Sequence, residues 1–331
     1  MVNVELFDDL DAVEHDAAGA LDRAAQPCLF SRLSWFRLLQ THVPPKGSLK
    51  VGRAAEGDAK AWLFLANGGH EAEAYAAWYS LRVGAIGDAA LVPAIAQELR
   101  RTKLTSLSLS PVEDPAPLVA ALRQAGWKAE ASPATGSWVA HTAGLSFDAY
   151  WAARPGKLRS TAKRKAKAAA LEVEIHSDFK AEAWAAYEQV YRASWKPEEG
   201  SFPFLRALAE QEGVAGTLRL GIARKDGQPV AVQLWTVESR TAIIHKLAYT
   251  EEAKPLSPGT ILGEAMFRRA IDEDRVDVID YGTGDDGYKR DWMDERRQLW
   301  RVTAFNPGTV RGLAGAARAG AGRLVGRLRS R

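Results

Sequence analysis

The order of strands and helices predicted for the second half of this sequence limits its fold more than any other feature. Apolar runs predict strands at residues 171–175, 218–224, 230–237 and 241–249, with Asp226-Gly227 marking a hairpin turn between the second and third. The pattern continues with a helix at 261–272, a strand at 276–281, a short helix at 288–293 and a strand at 299–305. This order predicts an α/β fold with a mixed sheet and crossover helices.

The first half has a similar composition but weaker signals. Strands are predicted at 61–65 and 106–109 and helices at 92–101 and 117–124. A small, polar stretch at 131–136 and a predicted helix cap at Ser146 place a domain boundary near residue 145. We therefore expect three parts: residues 1–145, residues 146–306 and a tail at 307–331.

Composition excludes several classes of protein. Of the 331 residues, 47% are hydrophobic, which is enough for a folded core. A single cysteine, Cys28, excludes a disulfide framework, and the six histidines are scattered without helical ligand spacing, so no metal site is expected. The N-terminus is acidic and no apolar run reaches about 18 residues. These features predict a cytoplasmic protein without a membrane span or a permanently bound cofactor.

The positive charge is concentrated in two segments. Seven basic residues and no acid lie between positions 154 and 167, and six arginines follow Pro307. Without those thirteen cations the net charge of +3 becomes −10. The first segment predicts a basic helix at 157–170, and its cations suit phosphates of coenzyme A, a transfer RNA backbone or anionic lipid, with Arg159, Lys163 and Arg164 as candidate ligands. Because no aromatic residues are interleaved, nucleic acid is not an expected partner. The alternative is a solvated helix face.

The tail, residues 308–331, has an amphipathic pattern. At about 100° per residue, one face collects Val310, Leu313, Ala314, Ala317, Ala321, Leu324, Val325 and Leu328. Arginines at the edges of such a face would meet anionic headgroups, and the glycines suggest a helix that orders only on binding. The pattern predicts peripheral attachment to the inner face of the membrane; the alternative is a disordered basic terminus.

Two junctions between strands and helices are candidate sites. Ser257 is the predicted N-cap of a helix that begins with Pro258, Gly259 and Thr260. The free N–H groups of this helix end suit a pyrophosphate, although Ser-Pro also simply starts helices. The second junction, residues 280–289, reads DYGTGDDGYK and follows a predicted strand. It matches neither a dinucleotide fingerprint nor a phosphate-binding loop, so it is either a ligand-binding edge of the sheet or a tight turn.

Residues 146–306 resemble the acetyltransferase-like domain of the FemAB-like and CelD-like branch of the GNAT superfamily. The phrase that carries most of this resemblance is DxGxGxxxYKxxW, formed by Asp280, Gly282, Gly284, Tyr288, Lys289 and Trp292. Residues 1–145 resemble the degenerate first half of such proteins, which predicts two tandem GNAT-like halves. The usual pyrophosphate loop of GNAT enzymes is absent, and residues 254–259 occupy its place.

The resemblance implies N-acyl transfer, in which an amine attacks a thioester or ester. Tyr288 occupies the place of the general acid, and His245 is the first choice of base because an ordinary imidazole titrates near neutrality. The alternative is that His245 is only a packed histidine in a strand, since its alternation with Ile244 and Lys246 does not settle which face meets solvent. Glu198 and Glu199 are alternative bases in a loop. Asp280 and Asp285 are expected to orient the loop or the amine. Lys289 is expected to bind a phosphate or to pair with Asp285, and the remaining candidate substrate contacts are Trp195, Lys196 and Trp292.

The sequence therefore predicts an enzyme that uses acyl-CoA as co-substrate and a primary amine as acceptor. The tail favours an amphiphilic acceptor such as a sphingoid long-chain base, with an envelope amino sugar as the next choice. Two alternatives remain at this point: a FemAB-like transferase that uses aminoacyl-tRNA, and a non-catalytic scaffold at a lipid surface.

Overall fold

A computed structural model of the chain describes the backbone of residues 1–329 and the side chains of residues 1–320. Four predicted apolar positions of the tail, Ala321, Leu324, Val325 and Leu328, therefore lie outside the described side chains, as does everything predicted for residues 330–331. Two compact units make up the chain: residues 1–135 with 298–331, and residues 136–297.

Residues 1–141 contain seven strands and four helices. In chain order they are β1 (Asn3–Phe7), α1 (Leu10–Ala17), α2 (Leu33–His42), β2 (Ser48–Glu56), β3 (Ala59–Asn67), β4 (Glu71–Ala74), β5 (Ile86–Gly87), α3 (Val92–Arg101), β6 (Ser106–Val112), α4 (Ala116–Gln124) and β7 (Lys128–His141).

The rest of the described chain contains six strands and seven helices. They are α5 (Phe147–Ala152), α6 (Gly156–Ala169), β8 (Glu172–His176), α7 (Ala181–Arg192), α8 (Phe202–Val214), β9 (Leu218–Lys225), β10 (Gln228–Glu238), β11 (Thr241–Tyr249), α9 (Pro258–Arg268), β12 (Val278–Thr283), α10 (Lys289–Trp292), β13 (Glu295–Phe305) and α11 (Val310–Arg329). A short 3-10 turn, Lys254–Leu256, precedes α9.

The two units share one strand plan. The order is β1-β2-β3-β4-β6-β13 in the first and β8-β9-β10-β11-β12-β7 in the second. In both, the first three pairings are antiparallel, the fourth is parallel and the fifth is antiparallel. Helices α3 and α9 each connect the two strands of the parallel pair. The predicted mixed α/β sheet and the GNAT-like fold with two similar halves are confirmed.

The unit boundaries differ from the predicted division at 145 and 306. The first boundary falls inside β7, after Thr135, and the second inside β13, after Arg297. Residues 300–305 of β13 pair with β6, so the end of the chain packs with the first unit and not with the second. This division is determined by pairing between strands that are distant in sequence, and such pairing cannot be recognised from the residues around the boundary.

Each unit has its own apolar core. In the first, α3 and α4 bury Ile95, Leu99 and Leu122 against the sheet. In the second, α9 buries Leu262, Met266 and Phe267 at helical spacing. Five tryptophans are fully buried, namely Trp35, Trp62, Trp127, Trp184 and Trp235. None of the helices in residues 1–329 combines the length and the apolarity needed to cross a membrane.

Candidate active site

The parallel strands of the second unit separate after a short paired stretch. Only Thr241, Ala242 and Ile243 of β11 pair with β12, opposite Val278, Ile279 and Asp280. β11 then runs on to Tyr249 without pairing to β12. The carboxyl ends of the two strands thus form an opening in the sheet, which is the place where open α/β sheets bind ligands.

His245 lies on β11 just beyond this separation, at a β-bulge. Leu234 pairs with Lys246 and Trp235 pairs with Ile244, so His245 is the additional residue. A bulge of this kind redirects a side chain out of the regular alternation of a strand. The His245 Nε2 atom lies 2.9 Å from Thr236 Oγ1. The backbone therefore positions this imidazole specifically.

Burial changes the acid–base behaviour of His245. Desolvation lowers its pKa to about 4, and the nearby Lys246 ammonium acts in the same direction. The imidazole is neutral at pH 7, so one of its two nitrogens is unprotonated, but it is a weaker base than expected. The premise of a pKa near neutrality was wrong because the strand alternation did not reveal how deeply this side chain is enclosed.

Tyr288 and Tyr281 form a second pair at the opening. Their rings meet edge to face with centroids 5.8 Å apart. Burial raises the pKa of Tyr288 to about 12, with a further contribution from Asp286, and burial also raises the pKa of Tyr281. Tyr249, at the end of β11, is close enough to influence the ionisation of Tyr288. Tyr288 is therefore protonated at neutral pH, as a general acid must be.

The loop after β12 is held by two buried charges. The Oδ1 atom of Asp280 accepts hydrogen bonds from Gly282 N at 2.8 Å and Ser137 Oγ at 3.0 Å. The backbone φ angles of Gly282 and Gly284 are +67° and +105°, which explains the two glycines of the motif. Asp280 therefore orients the loop.

Lys289 supports the same loop from the other side. Its ammonium group donates to the carbonyl oxygens of Tyr281, Thr283 and Gly284 at 3.3, 2.8 and 3.3 Å, and lies 3.6 Å from Asp286. These contacts engage all three hydrogens of the ammonium. We therefore correct the predicted phosphate-binding role of Lys289 to a structural one.

Asp285 points away from this loop interior. It accepts hydrogen bonds from Trp138 Nε1 and Arg296 Nε, both at 2.9 Å, and these donors lower the pKa of its carboxyl group. The two acids of the motif therefore have different surroundings: Asp280 is buried, whereas Asp285 is exposed.

The loop between α7 and α8 brings another acid toward β11. Glu199 is buried and lies 2.9 Å from the Lys246 ammonium, whereas its neighbour Glu198 is exposed. Burial raises the pKa of the Tyr191 hydroxyl, and the adjacent Glu199 carboxylate adds to this effect. Between the two candidate acids, the structure thus brings Glu199 and not Glu198 to β11. Lys246 is a residue of this site that the sequence interpretation did not include, although a lysine within the apolar run AIIHKLAY could have indicated it.

Trp195 and Lys196 lie in the same loop. The Trp195 ring packs on Tyr249 with centroids 4.1 Å apart. Burial lowers the pKa of Lys196, as does the nearby Lys246 ammonium, while Asp286 raises it. Lys196 is thus within electrostatic reach of both sides of the opening. Both residues remain candidate substrate contacts.

The start of α9 differs from its predicted form. Ser257 has a left-handed backbone with φ of 55°, and its side chain makes no capping hydrogen bond. A Cβ atom at Gly259 would lie 3.1 Å from the Tyr249 ring, so this glycine makes room for an aromatic side chain. Pro258 is buried, and Thr260 N donates to Ser257 O at 3.1 Å. The prediction of a Ser257 cap was wrong, while binding of a pyrophosphate here stays a prediction.

The basic helix α6 packs against α9 and the turn before it. Lys165 donates a hydrogen bond to the carbonyl oxygen of Pro255, and Arg159 donates to the carbonyl oxygen of Arg154 at 3.1 Å. Lys157, Lys163, Arg164 and Lys167 are exposed, and within residues 1–320 none of them pairs with a carboxylate. An unneutralised cationic surface therefore adjoins the N-terminal end of α9.

Trp292 belongs to the core of the second unit. It is buried, its ring lies 4.9 Å from that of Phe267 and 5.5 Å from that of Trp151, and it fills the space left by Gly263. The prediction of Trp292 as a substrate contact is therefore corrected to a packing role. Among the described residues, no three histidine, cysteine or acidic side chains are grouped in a way that could hold a metal ion.

The corresponding opening in the first unit is bridged by its own chain. Beyond β4, Val83 N donates to Pro111 O at 2.8 Å, and β5 pairs with β3 at Ala61 and Trp62. The chain after β4 therefore does not continue as a strand beside β6, and it returns to the sheet at β5, which pairs with β3. The separated parallel strands β11 and β12, with His245, Tyr281 and Tyr288, belong to the second unit.

Comparison with known proteins agrees with this geometry. Residues 153–290 match the family model described as an acetyltransferase (GNAT) domain. A search of curated proteins gave no match. Residues 153–290 are thus similar to an acetyltransferase (GNAT) domain, in agreement with the resemblance that the sequence motif indicates.

Solved structures share the fold at low sequence identity. A protein described as the C-terminal domain of a lysylphosphatidylglycerol synthetase from Agrobacterium fabrum aligns with a TM-score of 0.59 and 14% identity, over 92% of this chain and 95% of that one. L-PGS from Bacillus licheniformis aligns at 0.54 and 14%, over 88% and 95%. FemX aligns at 0.56 and 9%, over 82% and 96%.

Proposed function

We propose that this protein is an N-acyltransferase that moves an acyl group from acyl-CoA to a primary amine. The observation that carries the proposal is the separation of β11 from β12 after three residue pairs, with His245 on β11 beyond the separation and Tyr288 in contact with Tyr281 of β12. An opening between parallel strands gives an extended donor access to the reacting groups.

The reaction assigns a proton to each of these side chains. The amine nitrogen attacks the thioester carbonyl carbon, the new C–N bond forms and the C–S bond breaks. Tyr288 donates a proton to the departing thiolate, and the nitrogen loses a proton to a base. The neutral imidazole of His245 is our first choice for that base. Glu199 is second because its carboxylate is already neutralised by Lys246.

The donor phosphates would bind where α6 meets α9. Exposed Lys163 and Arg164, together with the helix N-terminus at Gly259 and Thr260, supply positive charge there. The same surface suits the backbone of an aminoacyl-tRNA, which is the second candidate donor. Coenzyme A that binds at this place would protect the protein from thermal unfolding, whereas tRNA would bind with strong salt dependence.

For the acceptor we propose an amphiphilic amine such as a sphingoid long-chain base, with an amino sugar second. The exposed apolar and cationic tail supports an acceptor held at a lipid surface. The similar structure from Agrobacterium fabrum bears the name of a lysylphosphatidylglycerol synthetase, which supports a lipid acceptor.

The test is an assay of thiol release. Purified protein is incubated with palmitoyl-CoA and, separately, with a sphingoid base, an amino sugar or no amine, and free CoA is measured. We expect release that depends on the sphingoid base and formation of the N-acyl product by mass spectrometry. No release with any amine, together with transfer from an aminoacyl-tRNA, would replace the proposed donor with the second candidate.

A further inference from the structure

The C-terminal helix α11 has an inner face that is fitted closely to the first unit. A Cβ atom at Gly312 would lie 2.1 Å from the carbonyl oxygen of Asn306, and one at Gly315 would lie 2.6 Å from the ring of Phe305. Thr309 Oγ1 accepts a hydrogen bond from Gly312 N at 3.0 Å and so caps the helix. Gly312 and Gly315 thus allow this face of the helix to pack closely.

The outer face of α11 is apolar and exposed. Val310 is 88% exposed and Leu313 is 57% exposed, and Ala317 lies one helical turn further along. The predicted apolar face of the tail is therefore exposed to solvent at Val310, Leu313 and Ala317, whereas Ala314 is half-buried. Large exposed aliphatic side chains next to one another on a helix are typical of an interaction surface.

Positive charge flanks this apolar stripe. Arg311 and Arg318 are exposed, and within the described residues neither pairs with a carboxylate. Residues 306–331 contain six arginines and no aspartate or glutamate. Residues 306–331 also contain no aromatic residue, so this segment lacks the side chains on which the bases of single-stranded nucleic acid stack.

We propose that the outer face of α11, defined by Val310, Leu313 and Ala317 with Arg311 and Arg318, binds an anionic lipid surface. The aliphatic side chains enter the boundary between headgroups and acyl chains, and the arginines contact lipid phosphates. The glycine face holds the helix on the first unit, so that the unit itself is brought to the membrane. This inference does not depend on the proposed acyl donor or acceptor.

The test is sedimentation of the full chain with lipid vesicles. One set is pure phosphatidylcholine, and in the other about a third of the lipid is phosphatidylglycerol. We expect binding to the anionic vesicles that weakens as salt is raised. The double variant Val310→Glu with Leu313→Glu should lose binding by at least about 25-fold, since it places two charges on the apolar face and opposes the anionic surface.

Two matched controls separate this surface from general effects. Val214→Glu makes the same change at a valine that is 94% exposed at the end of α8, and it should leave vesicle binding unchanged. Arg311→Gln with Arg318→Gln should weaken binding by about 25-fold, or about five-fold per arginine, whereas Arg301→Gln on β13 changes an exposed arginine outside the helix and should have little effect.

Three results would overturn the inference. The full chain could fail to sediment with anionic vesicles, the Val310/Leu313 variant could bind as well as the Val214 variant, or the arginines could be needed for RNA binding and not for vesicle binding. Because all the substituted side chains are exposed, circular dichroism of each variant should match that of the original protein.

Discussion

Lys246 on β11 and Glu199 in the loop after α7 form a buried ion pair, with the Lys246 ammonium 2.9 Å from one carboxylate oxygen of Glu199 and 3.1 Å from the other. The Glu199 side chain is 1% exposed. Removal of one member of such a pair leaves the other charge buried without compensation. The pair therefore ties the loop that carries Trp195 and Lys196 to the strand that carries His245.

We expect Glu199→Gln to destabilise the protein by about 3–5 kcal/mol, because the Lys246 charge stays buried without its partner. Glu198→Gln is the matched control, since it makes the same change at the adjacent exposed residue and should cost less than about 0.5 kcal/mol. Urea unfolding at pH 7 measures both. Equal stabilities of the two variants would mean that the ion pair does not hold the loop.

The low pKa of His245 predicts a specific loss of stability in acid. The native state keeps His245 neutral down to a pH of about 4, while the unfolded chain protonates near 6.5. Between these values the unfolded state binds more protons, so the free energy of unfolding falls as the pH is lowered, by up to about 3 kcal/mol. In His245→Gln this part of the pH dependence should disappear.

The control for this measurement is His70→Gln, which replaces an exposed histidine in the first unit. It should retain the original pH dependence between 6.5 and 4, measured by urea unfolding at a series of pH values. If His245→Gln and His70→Gln give the same curve, His245 is not held neutral by burial. If His245 is the catalytic base, its pKa of about 4 keeps the imidazole neutral at pH 6.5. We therefore expect no decline of kcat/KM near pH 6.5.

Tyr288→Phe tests proton donation to the leaving group. The hydroxyl, with its pKa raised to about 12, remains protonated across the neutral range, so its removal should lower kcat by about 100-fold with little change in KM. A thioester of a more acidic thiol needs less protonation, so the loss should be smaller with that donor. Tyr75→Phe, a buried tyrosine of the first unit, should leave both constants unchanged. An equal loss with both thioesters would assign Tyr288 a role in positioning.

The sheet of the second unit was predictable because its signals are local. The Asp226-Gly227 turn has φ of 50° and 77°, as a two-residue hairpin turn requires, and β11 occupies the predicted residues, Thr241–Tyr249. Apolar runs and turn residues act over a few positions, so they can be identified without knowledge of the partner strands. Membership of β13 in the first unit depends on its pairing with β6, about 190 residues away, and had no such signal.

The candidate site was predictable by position and less so by role. The motif placed Asp280, Tyr288 and Lys289 near the end of β12, where they are found. The role of Lys289 depends on how residues 281–284 direct their carbonyl oxygens. The weak basicity of His245 depends on its burial in the folded chain and on the nearby Lys246 ammonium. Interactions of this kind depend on the folded backbone, which residue type and spacing do not specify.

The glycines of α11 provide a direct test of how the helix is attached. Gly312→Ala would place a methyl group against the backbone carbonyl oxygens of Asn306 and Thr105, which cannot move without disturbing β13, so we expect a loss of about 1–3 kcal/mol. Gly320→Ala is the matched control: no atom lies within 4 Å of its Cβ position, and alanine favours a helix by up to about 1 kcal/mol over glycine. Urea unfolding and the rate of tryptic cleavage after Arg311 and Arg318 report both effects. If Gly312→Ala were as stable and as resistant to trypsin as Gly320→Ala, the helix would not be held on the first unit by its glycine face.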